Sequence, residues 1–212
     1  MSGLIVIGAG GHANSVIDAL RSAGIEPSGA IDREQTPGQT VGGLPVIGSD
    51  ADLERLFCEG TYRAVLGIGS VGDTTARRAA VERASAMSFH FETVVHRTAY
   101  VSPNATLGTG VFIGAGAVVG PGVTVGDFAI VNSGAVIDHD CMVGAFAHIA
   151  PSATLSGDVI VGDDAHVGTG ASVIQGARIG TGAVIGVGSV VVDDIDAGTI
   201  AFGNPCRPKA GE

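Results

Sequence analysis

The sequence predicts a chain of two parts, a small α/β unit over residues 1–97 and a parallel β-helix built from hexapeptides over residues 98–212. Two observations predict this organisation. The second half repeats a six-residue pattern without interruption, whereas the first half alternates short aliphatic runs with segments of helical periodicity. The composition agrees with both, since 35 of the 212 residues are glycine and 45% are apolar. A chain this apolar is expected to bury a core.

The composition also argues against several classes of protein. Eight prolines and the absence of a glycine at every third position exclude a collagen. A net charge of −10 without a basic stripe makes a nucleic-acid partner unexpected. No run of about 18 apolar residues predicts a membrane span, and Met1–Gly8 lacks the basic segment of a signal peptide. Three widely spaced cysteines without a C-x-x-C pair suggest free thiols and a cytoplasmic protein.

The repeat begins at Val101, and every sixth residue from there to Val191 is aliphatic, at all sixteen positions. Four residues after each aliphatic position lies a small or modest side chain, and glycine directly follows nine of the sixteen. A period of six does not fit a helix of 3.6 residues per turn. Two inward positions in six residues instead describe one short strand and a corner, so that three such sides close into a coil of eighteen residues. The glycines are expected to supply the corner torsions.

The first unit begins with the strand Leu4–Ile7, a glycine turn and a helix whose apolar residues are Ala13, Val16, Ile17 and Leu20. A second strand, 29–31, ends in Asp32. This order is the Rossmann-type fingerprint, although the unit is half the size of a dinucleotide domain. A mononucleotide or a nucleotide sugar therefore fits it better than NAD. Further strands are predicted at 46–47, 64–68 and 89–95, and further helices at 52–57 and 73–87.

Interruptions of a regular repeat are where function is expected. Inside the repeat the glycine is replaced at five positions, four of them between residues 132 and 156: Asn132, Asp138, Ala150, Ser156 and Ile174. This stretch contains Asp138-His139-Asp140 and His148. A histidine flanked by carboxylates is a general-base arrangement, because the carboxylates favour the imidazolium form. Cys141 falls on a small inward position, which predicts a core residue and not a nucleophile. His148 and His166 are expected to stack at the surface of adjacent coils.

Residues 101–195 resemble the left-handed β-helix of hexapeptide-repeat acyltransferases. Nearly the whole chain resembles nucleotide-sugar N-acetyltransferases of the bacillosamine and perosamine type, which are related to sialic acid O-acetyltransferases. The segments that carry the resemblance are Gly8–His12, Asn132–Asp140 and Gly203–Arg207. This chain has Asp140 where some relatives carry glutamate, and Cys206 with Arg207 where the family usually ends in Ala-Lys.

The resemblance implies a function and a set of site residues. The enzyme would transfer acetyl from acetyl-CoA to the amine of a nucleotide-linked deoxyamino sugar, with His139 as the base and Asp140 assisting it. The residues expected to contact acetyl-CoA are His148, Gly157, Thr169, Val187 and Arg207. Those expected to bind the sugar nucleotide are Gly10, Gly11, His12, Asp32, Arg33 and Gly69. The family resemblance also implies a homotrimer with the cofactor between neighbouring helices, and no metal.

Other functions remain open on the sequence alone. The main alternative is a sugar O-acetyltransferase of the sialic acid type. A zinc carbonic anhydrase of the γ type shares the β-helix, but its H-x-x-x-x-H pair is missing, since His139 and His148 are nine residues apart. An NAD-dependent oxidoreductase and a non-catalytic scaffold complete the set. Neither the nucleotide nor the sugar follows from the sequence.

Overall fold

The computed structural model describes residues 3–34 and 37–209. The chain divides into two compact units, the first containing residues up to 70 together with 74–97, and the second containing 71–73 together with the residues from 98 onwards. The short segment Val71–Asp73 belongs to the second unit because it packs there: a Cβ on Gly72 would lie 3.1 Å from Cγ2 of Val184. Nothing in the sequence separates this segment from its neighbours.

The first unit contains a six-stranded sheet in the order β3-β4-β2-β1-β5-β6. Its elements are β1 Leu4–Ile7, α1 Gly11–Ser22, β2 Gly29–Ile31, β3 Thr40–Val41, β4 Leu44–Gly48, a 3₁₀ turn Asp50–Asp52, α2 Leu53–Cys58, β5 Arg63–Leu66, α3 Thr75–Ala86, β6 His90–Phe91 and β7 Val94–Val95. β1 is buried along its whole length and pairs in parallel with β2 and β5. Helix α1 buries the four predicted apolar residues, and the βαβ arrangement therefore follows the sequence pattern.

Three details of the first unit differ from the prediction. The segment 89–95 forms two short strands and not one, and α3 is shorter than 73–87 at both ends. The hairpin of β3 and β4 was not predicted. Gly42 and Gly43 form its two-residue turn with φ of +54° and +75°, which only glycine adopts readily. The Gly-Gly pair between aliphatic residues is the signal that would have revealed it.

The second unit is a parallel β-helix with three walls. Its strands are β8 Tyr100–Val101, β9 Thr106–Leu107, β10 Phe112–Ile113, β11 Val118–Val119, β12 Thr124–Val125, β13 Ile130–Val131, β14 Val136–Ile137, β15 Met142–Val143, β16 His148–Ile149, β17 Thr154–Leu155, β18 Ile160–Val161, β19 His166–Val167, β20 Ser172–Val173, β21 Arg178–Ile179, β22 Val184–Ile185, β23 Val190–Val191, β24 Ile200–Phe202 and β25 Arg207–Pro208. We call the stack β8-β11-β14-β17-β20-β23 the first wall and the stack β9-β12-β15-β18-β21 the second wall. The third wall is β10-β13-β16-β19-β22-β24, and β25 pairs antiparallel with β24.

The register of the walls confirms the predicted coil of eighteen residues. Val119 pairs with Ile137, and Ile137 pairs with Leu155, each in parallel. The repeating aliphatic residues fill the interior, and from Ile113 onwards they are almost completely buried. The small residues four positions later are buried as well, including Cys141, which is fully enclosed as predicted. Burial of each large aliphatic side chain contributes on the order of 1.5–3 kcal/mol. The repeating aliphatic residues therefore stabilise the β-helix.

Glycine occupies two kinds of position in each coil, for different reasons. The glycine directly after the aliphatic residue is needed because the next coil is close: a Cβ on Gly114 would lie 2.6 Å from the backbone N of Ser133. The corner torsion is supplied two residues later, where Gly116 and Gly134 have φ of +66° and +67°. The torsional role expected for the first glycine is thus wrong, because period alone does not show which residue turns the corner.

Candidate active site

The predicted base, His139, lies at a corner between the first wall and the second, directly after β14. Asp138, which replaces a packing glycine there, accepts the backbone N–H of His139 at 2.8 Å. At two other corners the equivalent N–H uses a carboxylate from the following coil: Asp127 accepts Thr109 N–H and Asp163 accepts Ala145 N–H, each at 2.8 Å. Asp138 therefore holds the backbone of His139 from its own coil. The imidazole remains accessible, with 48% of the side chain exposed.

Asp140 orients the imidazole. Its Oδ2 lies 2.9 Å from His139 Nδ1, so Nδ1–H donates to the carboxylate. Asp140 occupies the corner position with φ of +59°, a left-handed conformation that aspartate tolerates better than most residues. With the proton held on Nδ1, the lone pair of the neutral ring is on Nε2. This nitrogen is therefore the atom that can accept a proton from a substrate.

Three carboxylates raise the pKa of His139 above its ordinary value. The hydrogen bond that His139 donates to Asp140 is the largest cause, followed by the negative charge of Asp138, with a smaller contribution from Asp158. Asp158 follows Asp140 by one coil and shares its left-handed backbone, with φ of +60°. Sequence reasoning did not single out Asp158, although the eighteen-residue register places it directly above Asp140. A raised pKa strengthens His139 as a base near neutral pH.

Gly157 lies against the imidazole from the next coil. A Cβ at this position would be 2.5 Å from both Cε1 and Nε2 of His139, so the ring occupies the space that any other residue would fill. The Asp158 N–H donates to the carbonyl of His139 at 2.9 Å and ties the two coils together. Within residues 3–34 and 37–209, the N–H of Gly157 has no hydrogen-bond acceptor. A backbone donor is thus present beside Nε2.

His148 lies in β16, on the third wall. Asn132 Nδ2 is 3.1 Å from its Nε2, and the ring of His166 meets it edge-on with the centroids 4.9 Å apart. The predicted stacking of the two histidines is therefore present. Its predicted place at the surface is wrong, because His148 and His166 are only 9% and 6% exposed. The six-residue period predicts the wall from which a side chain projects, but it does not predict whether that side chain is buried.

The structure separates the other predicted cofactor residues into two groups. Thr169 and Val187 are exposed and share the corner that follows the third wall, near the wall that carries His148. Gly157 lies with His139 at the opposite side of the coil. Arg207 also reaches that side, since its Nη1 is 2.9 Å from Oδ2 of Asp193, which occupies the same corner near the end of the helix. His139 and His148 are nine residues apart in a coil of eighteen, so their side chains lie on opposite sides of the β-helix.

The glycine turn of the first unit joins β1 to α1. Gly8 is required by its φ of +105° and by Ile68, whose Cγ1 would be 2.6 Å from a Cβ. Gly10 and Gly11 differ, because a Cβ on either would meet nothing within 4 Å. Packing within the chain thus does not explain these two glycines, whose backbone lies open at the N-terminus of α1.

The remaining predicted substrate residues surround this turn. Asp32 accepts the N–H of Ala9 at 2.6 Å and that of Glu34 at 2.9 Å, so its carboxylate braces the turn. The exposed Arg33 pairs with Asp50 at 3.4 Å. Gly69 lies against His12, since a Cβ on Gly69 would be 3.0 Å from the Cβ of His12. The structure therefore brings all six predicted residues to one end of the sheet, around the C-terminal ends of β1, β2 and β5.

The described residues contain no group of three or more His, Cys, Asp and Glu side chains arranged to hold a metal ion. Among the helices of the same residues, none has both the length and the apolar character needed to span a membrane.

The chain is similar to several known proteins. Residues 3–84 match the family model of the PglD N-terminal domain. Over the full chain the structure is similar to perosamine N-acetyltransferase from Caulobacter crescentus, seen as a histidine-to-asparagine variant in complex with CoA and GDP-perosamine. The identity is 37%, the TM-score is 0.93, and the match covers 100% of this chain and 98% of that one.

Two further relatives complete the comparison. The acetyltransferase domain of PglB from Neisseria gonorrhoeae, in complex with acetyl coenzyme A, is 38% identical with a TM-score of 0.90, and 98% of each chain is covered. An uncharacterized protein, L142, of Acanthamoeba polyphaga mimivirus is 33% identical over 111 residues, but this match spans 51% of the present chain and only 20% of that protein.

An α/β unit joined to a left-handed β-helix with a carboxylate-supported histidine at its corner defines an acyltransferase of the hexapeptide-repeat class. The chain belongs to the nucleotide-sugar N-acetyltransferase family of the perosamine and bacillosamine type. The fold, the family and the enzyme class predicted from the sequence are confirmed.

Proposed function

We propose that the protein transfers the acetyl group of acetyl-CoA to the amine of a nucleotide-linked deoxyamino sugar. The observation that carries this proposal is the His139–Asp140 pair, which leaves Nε2 as a proton acceptor beside the backbone donor of Gly157. It is supported by the similarity to an N-acetyltransferase that binds CoA and GDP-perosamine and to a domain that binds acetyl coenzyme A. Acetyl-CoA is a co-substrate in this scheme.

The residues of this chain would each perform one part of a direct transfer. The sugar amine attacks the thioester carbonyl carbon, and His139 Nε2 takes the proton that the amine loses. Asp140 stabilises the imidazolium that results. The N–H of Gly157 stabilises the negative charge that develops on the carbonyl oxygen. The carbon–sulfur bond then breaks, CoA leaves as its thiol after taking up a proton, and no acyl-enzyme is formed.

The two ligands would occupy different parts of the molecule. The sugar nucleotide binds at Gly10, Gly11 and His12, where the glycines leave room for its phosphates and the N-terminus of α1 favours negative charge. Asp32 acts by bracing this turn, with Arg33 and Gly69 beside it. Acetyl-CoA contacts the remaining residues, which are His148, Gly157, Thr169, Val187 and Arg207.

A homotrimer with acetyl-CoA between neighbouring β-helices accounts for the separation of these residues. His139 and His148 project from opposite sides of one coil, an arrangement that favours an acetyl-CoA held between two copies. Two copies side by side can place His139 of one against His148 of the other. A cytoplasmic location agrees with the free cysteines Cys58, Cys141 and Cys206 and with the nature of both substrates.

The direct test is thiol release from acetyl-CoA with a panel of UDP-, GDP- and dTDP-linked amino sugars. We expect release with at least one nucleotide amino sugar and a product that is heavier by one acetyl group on nitrogen. Release with free sialic acid, but with none of the nucleotide sugars, would replace the proposal with the O-acetyltransferase alternative. Zinc at one equivalent per chain, or binding of NADH, would favour the remaining enzyme alternatives.

A further inference from the structure

We propose that Asp50 is a positioning residue that holds the guanidinium of Arg33 toward the nucleobase of the sugar nucleotide, and that Arg33 thereby selects a guanine nucleotide. The inference rests on the proposed function, because it names the class of nucleotide bound at the glycine turn of the first unit. The sequence alone did not predict a role for Asp50 or for its second partner, Arg83.

Arg33 and Asp50 lie at the same edge of the sheet. Arg33 is the second residue after β2, and Asp50 begins the 3₁₀ turn that follows β4. These strands are parallel neighbours, with Ile31 paired to Gly48, so their carboxyl ends lie side by side. In nucleotide-binding α/β units the phosphates bind at the turn after the first strand, and the nucleoside extends toward the end of the second. Arg33 therefore lies where the nucleoside is expected.

Asp50 joins two arginines through one carboxylate oxygen. Its Oδ2 lies 3.4 Å from Nε of Arg33 and 2.9 Å from Nη2 of Arg83. Only 20% of the Asp50 side chain is exposed, and Nε and Nη2 of Arg83 are shielded from solvent. An isolated pair at the surface would hold its partners weakly, because both side chains would remain mobile. Here Arg83 restrains the carboxylate, and the restrained carboxylate holds Arg33.

The outer end of the Arg33 side chain is available to a ligand. Asp50 contacts its Nε, and no other hydrogen bond or ion pair joins Arg33 to residues 3–34 and 37–209. The side chain is 62% exposed. Since the guanidinium is planar and rigid, contact at Nε leaves the two Nη groups as a pair of parallel donors.

A pair of parallel donors matches one nucleobase better than the others. Guanine presents two neighbouring acceptors, O6 and N7, on one edge. Adenine places an amino group beside N7, and the O4 of thymine or uracil has no second acceptor next to it. Arg33 can therefore make two hydrogen bonds to guanine and one to the other bases. A bidentate contact of this kind discriminates between bases by about 10- to 100-fold.

Two variants separate recognition of the base from attraction of the phosphates. Arg33→Lys keeps the positive charge but loses the planar pair of donors. Asp50→Asn keeps the shape of the group beside Arg33 and removes its charge. Isothermal titration of the full-length protein with GDP, UDP and dTDP measures affinity without acetyl-CoA or a sugar. The matched control is Glu26→Gln, which removes the same charge from the exposed ion pair with Arg21 before β2 begins, at the opposite edge of the sheet.

We expect the parent protein to bind GDP at least about tenfold more tightly than UDP or dTDP. Arg33→Lys should abolish this preference by weakening GDP binding about tenfold, while the affinities for UDP and dTDP stay nearly unchanged. Asp50→Asn should weaken the preference in the same direction, and so should Arg83→Lys, which releases the carboxylate from its other partner. Glu26→Gln should bind all three nucleotides like the parent.

Equal affinity of the parent protein for GDP and UDP would overturn the inference, whether or not the variants fold. Equal loss of affinity for all three nucleotides in Arg33→Lys would assign Arg33 to the phosphates and overturn it as well. An unchanged preference for GDP in a folded Asp50→Asn or Arg83→Lys would contradict the positioning role. Failure of the proposed function would be seen separately, as the absence of thiol release with every sugar, and would leave these titrations unaffected.

Discussion

Replacement of Gly157 by alanine tests the geometry of the base directly. The new Cβ would lie 2.5 Å from Cε1 and Nε2 of His139 and 3.1 Å from Cδ2, whereas comfortable contacts between such atoms are about 3.5–4.0 Å. The imidazole must therefore move by roughly 1 Å. The φ of Gly157 lies outside the left-handed region, so the backbone itself accepts alanine. Alanine also keeps the N–H that is proposed to stabilise the oxyanion.

We expect Gly157→Ala to fold normally and to lose about 100-fold in kcat, because a displacement of 1 Å at a reacting group costs about that much. The KM for the nucleotide sugar should change little, since this substrate is held in the first unit. Steady-state thiol release measures both constants, and circular dichroism with a thermal melt confirms the fold. Gln175→Ala is the control, because Gln175 follows Gly157 by one coil and is exposed. A kcat for Gly157→Ala within threefold of the parent enzyme would refute the steric argument.

Two further predictions concern the pH dependence and the glycine turn. A general base acts when deprotonated, so kcat/KM should rise with pH through the pKa of His139, which the carboxylates hold above the ordinary 6.5. Asp158→Asn and Asp140→Asn should both shift this rise to lower pH, Asp140→Asn by more, and an unshifted pH–rate profile would contradict the assigned charges. Gly10→Ala should fold like the parent, because its Cβ meets nothing within 4 Å, but should raise the KM for the nucleotide sugar at least tenfold. The KM for acetyl-CoA, which should not change in this variant, is the internal control. An unchanged KM for the nucleotide sugar would contradict binding of that substrate at the glycine turn.

Much of the fold could be predicted because one physical rule repeats sixteen times. A strand of two residues and a corner require an aliphatic residue, a small residue and a close-packed glycine at fixed spacing, and Val119, Ile137 and Leu155 stack in the predicted register. The rule fails where it concerns torsion. The turning residue is glycine at position 116 but aspartate at 140 and 158, and composition alone does not distinguish these cases.

The sequence was sufficient to predict the catalytic base of the site, but not all of the residues that surround this base. His139 and Asp140 are adjacent in sequence, and their hydrogen bond could be expected from that alone. Asp158 contributes from eighteen residues away, and only the register of the coils brings it to the base. Asn132 was visible as a missing glycine, but its link to His148 depends on side-chain directions at a corner. Burial of His148 and His166 could not be foreseen, because the repeat does not show which wall is covered.

The central claim is that His139 is the base for acetyl transfer to a nucleotide-linked amine. The most direct measurement is kcat for His139→Asn with acetyl-CoA and the nucleotide amino sugar that the parent enzyme prefers, beside His90→Asn as a control at an exposed histidine of the first unit. We predict that His139→Asn loses at least 100-fold in kcat, in line with the usual contribution of a general base of about 10²–10⁴-fold, while His90→Asn stays near the parent value. Equal turnover in His139→Asn and the parent enzyme would contradict the claim.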